Sequence, residues 1–272
     1  MESLIIYWNV SPEIVGIGPL HIRWYGLLFA LGFLLAYLLE QRMFRFEGLP
    51  QDWLDSAILY VFAGTLLGAR LGHVFFYAWD YYSQHPLDIL KVWQGGLASH
   101  GALIGIVLAL WVFSKRVSKL PLLWVLDRAV VSIALAAVFI RTGNLMNSEI
   151  FGLPTSLPWG FVFVRVDGVA GPARHPTQIY EALAYLLTFV TLVWLFFKTD
   201  ARKRPGLLLG VFLFMVFSAR FAIEFLKENQ AEFESGMVLN MGQLLSIPLI
   251  LAGIWLIWRA LRRAVVNWGS RG

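Results

Sequence analysis

Long apolar runs separated by short polar segments organise this chain. Seven runs are predicted to be membrane-crossing helices: residues 20–40, 54–78, 97–114, 121–141, 176–197, 206–226 and 239–260. Each approaches the roughly 20 apolar residues needed to cross the hydrocarbon core. In the second run Gly64, Gly68 and Gly72 recur every fourth residue. Small residues at that spacing let helix backbones approach, which predicts a packing face. Between the runs, 79–96 mixes aromatic and charged residues and is expected to lie as an amphipathic arm at the interface. In 148–175, the alternation of "WGFVFVRVDG" predicts a short hairpin within a small cap outside the membrane. The expected fold is therefore one all-α integral-membrane domain over 1–272, with an outside head segment between spans four and five.

Basic residues orient these spans. Arg42 and Arg45 follow span one, and Lys115, Arg116 and Lys119 follow span three. Lys198, Arg202, Lys203 and Arg204 follow span five, and Arg259, Arg262, Arg263 and Arg271 close the chain. By the positive-inside rule the N-terminus is outside and the C-terminus cytoplasmic. The opening "MESLIIYWNVSPEIVGIGP" carries Glu2 and no basic cluster, so it does not read as a cleaved signal peptide. Pro12 and Pro19, with Gly16 and Gly18, predict a short interfacial lead into span one.

Composition agrees with the pattern. The 272 residues are 58% hydrophobic and 14% charged, well below the roughly 25% charged residues of soluble domains. The formal net charge is +5, but no basic face interleaves with aromatics outside the apolar runs, which argues against nucleic acid as a partner. With no cysteine, disulfides and cysteine nucleophiles are excluded.

Polar residues gather at one depth. The outer portions of the spans hold His21, Arg23 and Tyr25; Arg70 and His73; Ser99 and His100; "RTGNLMNSEIFG" (141–152); Arg174, His175, Gln178, Tyr180 and Glu181; Arg220 and Glu224; and Asn240 and Gln243. The inner portions carry little beyond Asp55 and the Asp127–Arg128 pair. Intramembrane polar groups are costly and face a bundle interior or an aqueous cavity, so one polar cavity open to the outer leaflet is expected. Plainer readings stand beside this one. Arg220 and Glu224, four apart, can neutralise each other. Arg70 can pair with a carboxylate such as Glu181 or Glu149. His21 can be an interfacial histidine, and Asn144 and Asn147 can close turns. The chain has no H-E-x-x-H motif, G-x-S-x-G elbow or Walker loop, so a metal site could arise only by tertiary convergence. Arg141 and Arg220 suit an anion, because a guanidinium forks onto phosphate oxygens. The anion at that depth is a lipid headgroup phosphate. A lipid transporter, or a lipid-binding protein without turnover, would also use such a cavity.

The blocks "HIRWYG", "GARLGHVFFY", "VWQGGLASHGALIG", "RTGNLMNSEIFG", "RHPTQIYEAL", "RFAIEFLKE" and "MGQLLSIP" resemble, in order and spacing, those of the bacterial prolipoprotein diacylglyceryl transferases. The resemblance covers nearly the whole chain. Ile140, Ala69 and Ala102 stand where glycine is common in the family. The resemblance implies a seven-span fold in the bacterial cytoplasmic (inner) membrane. It implies transfer of the diacylglyceryl group of phosphatidylglycerol to the lipobox cysteine thiol of a prolipoprotein signal peptide, releasing glycerol phosphate. The substrate then supplies the thiol, and no cofactor or metal is expected. Residue by residue, it points to His100, Tyr25, Asn144, Glu149, Arg220 and Glu224 as catalytic. His100 is the first candidate base, with Glu149 or Glu224 competing, and Glu224 would orient Arg220. Arg141, Gly143, Asn147, Gly152, His21, His175 and Gln178 are the candidate substrate-binding residues.

Overall fold

The computed structural model describes residues 5–18, 20–228 and 237–266; Glu2, Pro19 and Arg271 lie outside them. The elements follow as β1 (Ile6–Trp8), β2 (Glu13–Ile17), β3 (Leu20–Arg23), α1 (Trp24–Glu47), α2 (Gln51–Tyr77), α3 (Trp79–Gln84) and α4 (Ser99–Arg116). Next come α5 (Leu122–Met146), β4 (Phe161–Phe163), the single turn α6 (Val164–Asp167), α7 (Thr177–Lys198), α8 (Leu207–Glu224) and α9 (Met241–Arg262). Six helices, α1, α2, α5, α7, α8 and α9, are long and apolar enough to cross a membrane. The pattern predicts seven. The remaining run forms α4, which has 18 residues like α8, so length does not set it apart. His100 at one end and Lys115 and Arg116 at the other lower its apolar content instead.

The helices fall into two compact units. One is built from the chain up to Leu39 and from Asp127 onwards, the other from Glu40–Leu126. In the first, α8 and α9 meet through glycines: a Cβ on Gly210 would lie 2.9 Å from the Gly253 carbonyl oxygen, and one on Gly253 would lie 2.7 Å from the Phe214 nitrogen. Gly32 of α1 lies against Phe139 of α5. Helix ends are tied by side chains. The fully buried Asp127 accepts from the Gly206 and Leu209 amides at 2.6 and 2.8 Å, capping α8 from a neighbouring helix. Arg202 donates to the Phe196 and Thr199 carbonyls at the end of α7. Arg204 donates to those of Ala260, Leu261 and Arg263 at the end of α9. Cations suit helix C-termini.

Two expectations change in this unit. The helix of span one begins at Trp24, and His21 and Arg23 stand on β3, paired antiparallel with β2. The β-branched Ile14, Val15, Ile17 and Ile22 surround a turn at Gly18, whose φ of 59° favours glycine. The predicted hairpin of "WGFVFVRVDG" does not form. Phe161–Phe163 makes a strand, Val164–Asp167 turns into a helix, and β4 pairs parallel with β1. Phe161, Val162 and Phe163 are all buried, so their sequence alternation does not mark an exposed face. Phe161 and Phe163 form a core with Leu145, against which Trp8, Phe151 and Ile179 pack.

In the second unit the glycine face of α2 packs on α4. A Cβ on Gly64 would lie 2.6 Å from the Gly105 carbonyl oxygen, and one on Gly72 would lie 2.6 Å from the Gly101 Cα. The backbones therefore touch directly. Arg70, 3% exposed, is not paired with Glu181 or Glu149. Its guanidinium donates to the carbonyls of Ile89 (2.8 Å), Gly95 (2.6 Å), Asp88, Gly96 and Lys91, and it stacks over Tyr82. The segment after α3 runs as short 3-10 turns at 86–90 and 92–94. The Asp88 carbonyl also accepts from the Lys91 amide, and Arg70 supplies further donors to the carbonyls of this segment. Tyr81 donates to Asp88 at 2.7 Å, and Lys91 pairs with Asp88 at 2.6 Å.

Candidate active site

The stretch 141–152 closes α5 and turns back on it. The amides of Asn147, Ser148 and Glu149 bond the carbonyls of Gly143, Leu145 and Asn144, and Trp8 Nε1 also donates to the Leu145 carbonyl at 3.1 Å. Ser148 and Ile150 sit at φ 56° and 59°. A β-branched residue there is a backbone outlier costing about 1–2 kcal/mol. The first turn of α7 holds this conformation. Gln178 Nε2 donates to the Glu149 carbonyl at 2.6 Å and Thr177 Oγ1 to the Ile150 carbonyl at 2.8 Å, and both residues are fully buried. Asn144 Nδ2 and Asn147 Nδ2 then donate to Glu149 Oε1 at 2.7 and 3.2 Å.

Deeper in the first unit lies a chain of alternating charges. Arg141 Nη1 donates to Asn144 Oδ1 at 3.1 Å, while Arg141 Nε lies 2.8 Å from Glu181 Oε2. Lys227 Nζ donates to Glu181 Oε1 at 2.8 Å and to Glu224 Oε2 at 3.4 Å. Asn240 Nδ2 donates to Glu224 Oε1 at 3.4 Å, and Asn240 with Gln243 forms the capping box of α9. Glu181, Glu224 and Lys227 are all buried, a setting in which charges persist only when paired. The Tyr185 hydroxyl lies beside Arg141 and in the field of Arg220. Arg141 and Tyr185 both face a cavity of about 230 Å³ walled by Ala137, Ile140, Phe212 and Val216. A cationic, hydrogen-bonding group at an apolar wall can take an anion attached to apolar chains.

Other candidates are placed as follows. Tyr25, in the first turn of α1, has its ring against Gly143: a Cβ there would lie 2.8 Å from Tyr25 Cδ2. Gly143 thus makes room for Tyr25. Gly152 amide donates to the His175 carbonyl at 2.8 Å, and His175 Nδ1 is 3.3 Å from the Tyr180 hydroxyl. Arg220 is half-buried on α8. Among the described residues no ion pair joins it to Glu224, which faces Lys227 and Asn240 instead. His21 is exposed, 3.2 Å from Glu13. His100 belongs to the second unit, where it is exposed at the start of α4 and borders a cleft of about 250 Å³ with His73, Tyr77, Leu97 and Ala98. Arg174 chelates Asp167 (2.6 and 3.2 Å) and pairs with Glu228. Those bonds hold its guanidinium still further into the charged range.

Sequence reasoning left Tyr185 and Lys227 out of the site and gathered Glu181 with the outer polar residues only as a possible partner of Arg70. The signal for two of them is helical spacing: Gln178, Glu181, Tyr185, Thr188 and Leu192 are the buried stripe of α7. Lys227 stands just beyond α8 and carries no such mark.

Long apolar helices around a buried, charge-alternating site define an integral-membrane helical protein with a polar centre within its bundle. The chain belongs to the prolipoprotein diacylglyceryl transferase family, whose sequence model matches residues 12–259. It is similar to the phosphatidylglycerol–prolipoprotein diacylglyceryl transferase of Tolumonas auensis, 49% identical over 253 residues, 93% of this chain and 96% of the relative. Those of Chloroherpeton thalassium and Porphyromonas gingivalis are 47% and 49% identical, each match covering 96% of this chain and 97% of the relative.

Proposed function

We infer that this chain transfers the diacylglyceryl group of phosphatidylglycerol to the lipobox cysteine thiol of a prolipoprotein, the first step of lipoprotein maturation. A carbon–sulfur bond forms at the glycerol carbon as its bond to a phosphate oxygen breaks. The thiol proton passes to a base and glycerol phosphate leaves. The leaving group is already an anion, so the step needs charge stabilisation and alignment more than an acid. The observation that carries the reading is Arg141: Glu181 and Asn144 fix its plane while it faces a cavity with Tyr185. Arg220, with no ion pair to Glu224, is the second cation for the phosphate.

Asn144 and Asn147, bonded to Glu149, hold the carboxylate in place, and Tyr25 seats beside them through Gly143. A free thiol has a pKa of about 8.5, raised by apolar burial, so a base assists. His100 in that role rests on the resemblance of its His-Gly block; near-normal single-turnover transfer by His100→Gln across pH 6–8 refutes it. The protein sits in the bacterial inner membrane. It has seven spans, α4 among them, with the N-terminus outside and the basic ends of α7 and α9 in the cytoplasm. Exposed Leu87, Leu90 and Trp93 support an interfacial arm at 79–96, and 148–175 forms the outside head.

The test is transfer of label from phosphatidylglycerol, labelled in its diacylglycerol moiety, to a lipobox peptide. Labelled cysteine is expected with the wild type and not with Arg141→Ala. A folded wild type that transfers nothing refutes the function. Equal transfer by both refutes the role of Arg141.

A further inference from the structure

We propose that Lys227 is a positioning residue of this reaction: its ammonium holds Glu181, and Glu181 holds Arg141. The role rests on the transfer reaction inferred above. A lysine three residues past the end of a helix ordinarily extends to water and buries only its stem. The Lys227 side chain is instead 2% exposed, between Glu181 at 0% and Glu224 at 5%. It reaches both carboxylates, and Glu181 takes the other cation, Arg141, on its second oxygen.

The backbone is built to turn this lysine inward. Lys227 forms an antiparallel bridge with Gly152, and the Leu153 amide donates to the Leu226 carbonyl at 2.7 Å. A Cβ on Gly152 would run into the Leu226 carbonyl oxygen and lie 2.7 Å from His175 Cβ and 2.8 Å from Thr177 Cγ2. Gly152 therefore lets two backbones meet and seats Lys227. That accounts for the glycine without a substrate contact.

Charge makes the seat matter. The groups facing Lys227 and its partners are Arg141 from α5, Glu181 and Tyr185 from α7, Arg220 and Glu224 from α8, and Asn240 at the start of α9. Along the chain two cations, Arg141 and Lys227, match two carboxylates. Removing the ammonium leaves Arg141, paired with Glu181, as the one cation of that chain among the described residues, and Glu224 with Asn240 but no paired cation. An uncompensated buried charge is strongly unfavourable. Arg141 is then drawn away from Asn144 and from the cavity where the phosphate is to be held.

The experiment measures transfer from labelled phosphatidylglycerol to a lipobox peptide, with melting temperature recorded for every variant. It compares wild type, Lys227→Met, Lys227→Arg and the charge-balanced Lys227→Met/Glu181→Gln. Loss of one charge-assisted contact predicts a roughly 10–100-fold fall in kcat/KM for Lys227→Met. Lys227→Arg should keep most activity, and the double variant should recover at least about fivefold over Lys227→Met. Lys227→Met within about threefold of wild type overturns the proposal. So does a folded double variant no better than Lys227→Met, because the lysine would then act other than through Glu181. If Lys227→Met fails to fold, a folded but inactive Lys227→Arg overturns the proposal, and an active double variant upholds it. A folded wild type without transfer overturns the reaction and this role together, an outcome distinct from an active wild type with an active Lys227→Met.

Discussion

Replacing Arg141 by lysine keeps the charge and removes the fork. Arg141 reaches two partners in different directions, Glu181 through Nε at 2.8 Å and Asn144 through Nη1 at 3.1 Å. A lysine presents one nitrogen and can hold only one of them while facing the cavity. Losing a hydrogen bond to a charged group costs about 1.5–3 kcal/mol. At 1.36 kcal/mol per factor of ten, kcat/KM for lipobox-peptide transfer should fall roughly 10–150-fold. The companion variant Glu181→Gln keeps an acceptor in place and should cost less. In a double-mutant cycle the two changes should couple by about 0.5–3 kcal/mol. If Arg141→Lys transfers within about threefold of wild type, or the two effects simply add, the guanidinium plane is irrelevant and charge alone suffices.

Further outcomes follow from other contacts. Gly143→Ala puts a methyl 2.8 Å from Tyr25 Cδ2 and should cost about 1–3 kcal/mol in detergent unfolding, together with transfer activity. Gly26→Ala, with nothing within 4 Å, is the control and should unfold no more easily. Asp127→Ala strands the Gly206 and Leu209 amides and should cost about 2–4 kcal/mol of stability by the same measurement. On the arm, Lys91 and Tyr81 hold the Asp88 carboxyl below its usual range, and Asp88 holds Tyr81 and Lys91 above theirs. A depressed carboxylate contributes above its unfolded pKa and loses that contribution as pH falls through its folded value. The raised lysine contributes below its unfolded pKa and loses that contribution only in strongly alkaline solution, where the raised tyrosine also titrates. Amide-exchange protection of 79–96, corrected for intrinsic rates, should therefore stay flat between pH 5 and 9.

What the sequence reveals here is what depends on local spacing. The four-residue glycine repeat of α2 announces a backbone contact, because a helix face is fixed by chain periodicity. The cluster 141–149 is legible for the same reason: its members sit within two turns of one helix end and its return loop. Three features are not legible. The strand β1 is three residues long and its partner lies far along the chain, so no local pattern marks the pairing. Arg70 reads as a partner for a carboxylate, because only the folded arm shows several carbonyls gathered around it. Lys227 carries no mark in the sequence, since its inward turn depends on Gly152, distant along the chain. The expected Arg220–Glu224 pair illustrates the same limit. Four-residue spacing permits the contact, but Lys227 and Asn240 take Glu224 instead.

The pairing of β1 with β4 also has a bearing on the order of assembly during synthesis. The unit from Glu40 to Leu126 is continuous, and its glycine seam needs only α2 and α4, so it can close while the rest of the chain is still being made. The other unit begins first and finishes last. Ile6–Trp8 emerges early but has no strand to join until Phe161–Phe163 has been made, and Trp8 has no carbonyl to cap until α5 is complete. The signature turn is thus locked by a segment made well before it, after that segment has waited through the synthesis of four long helices.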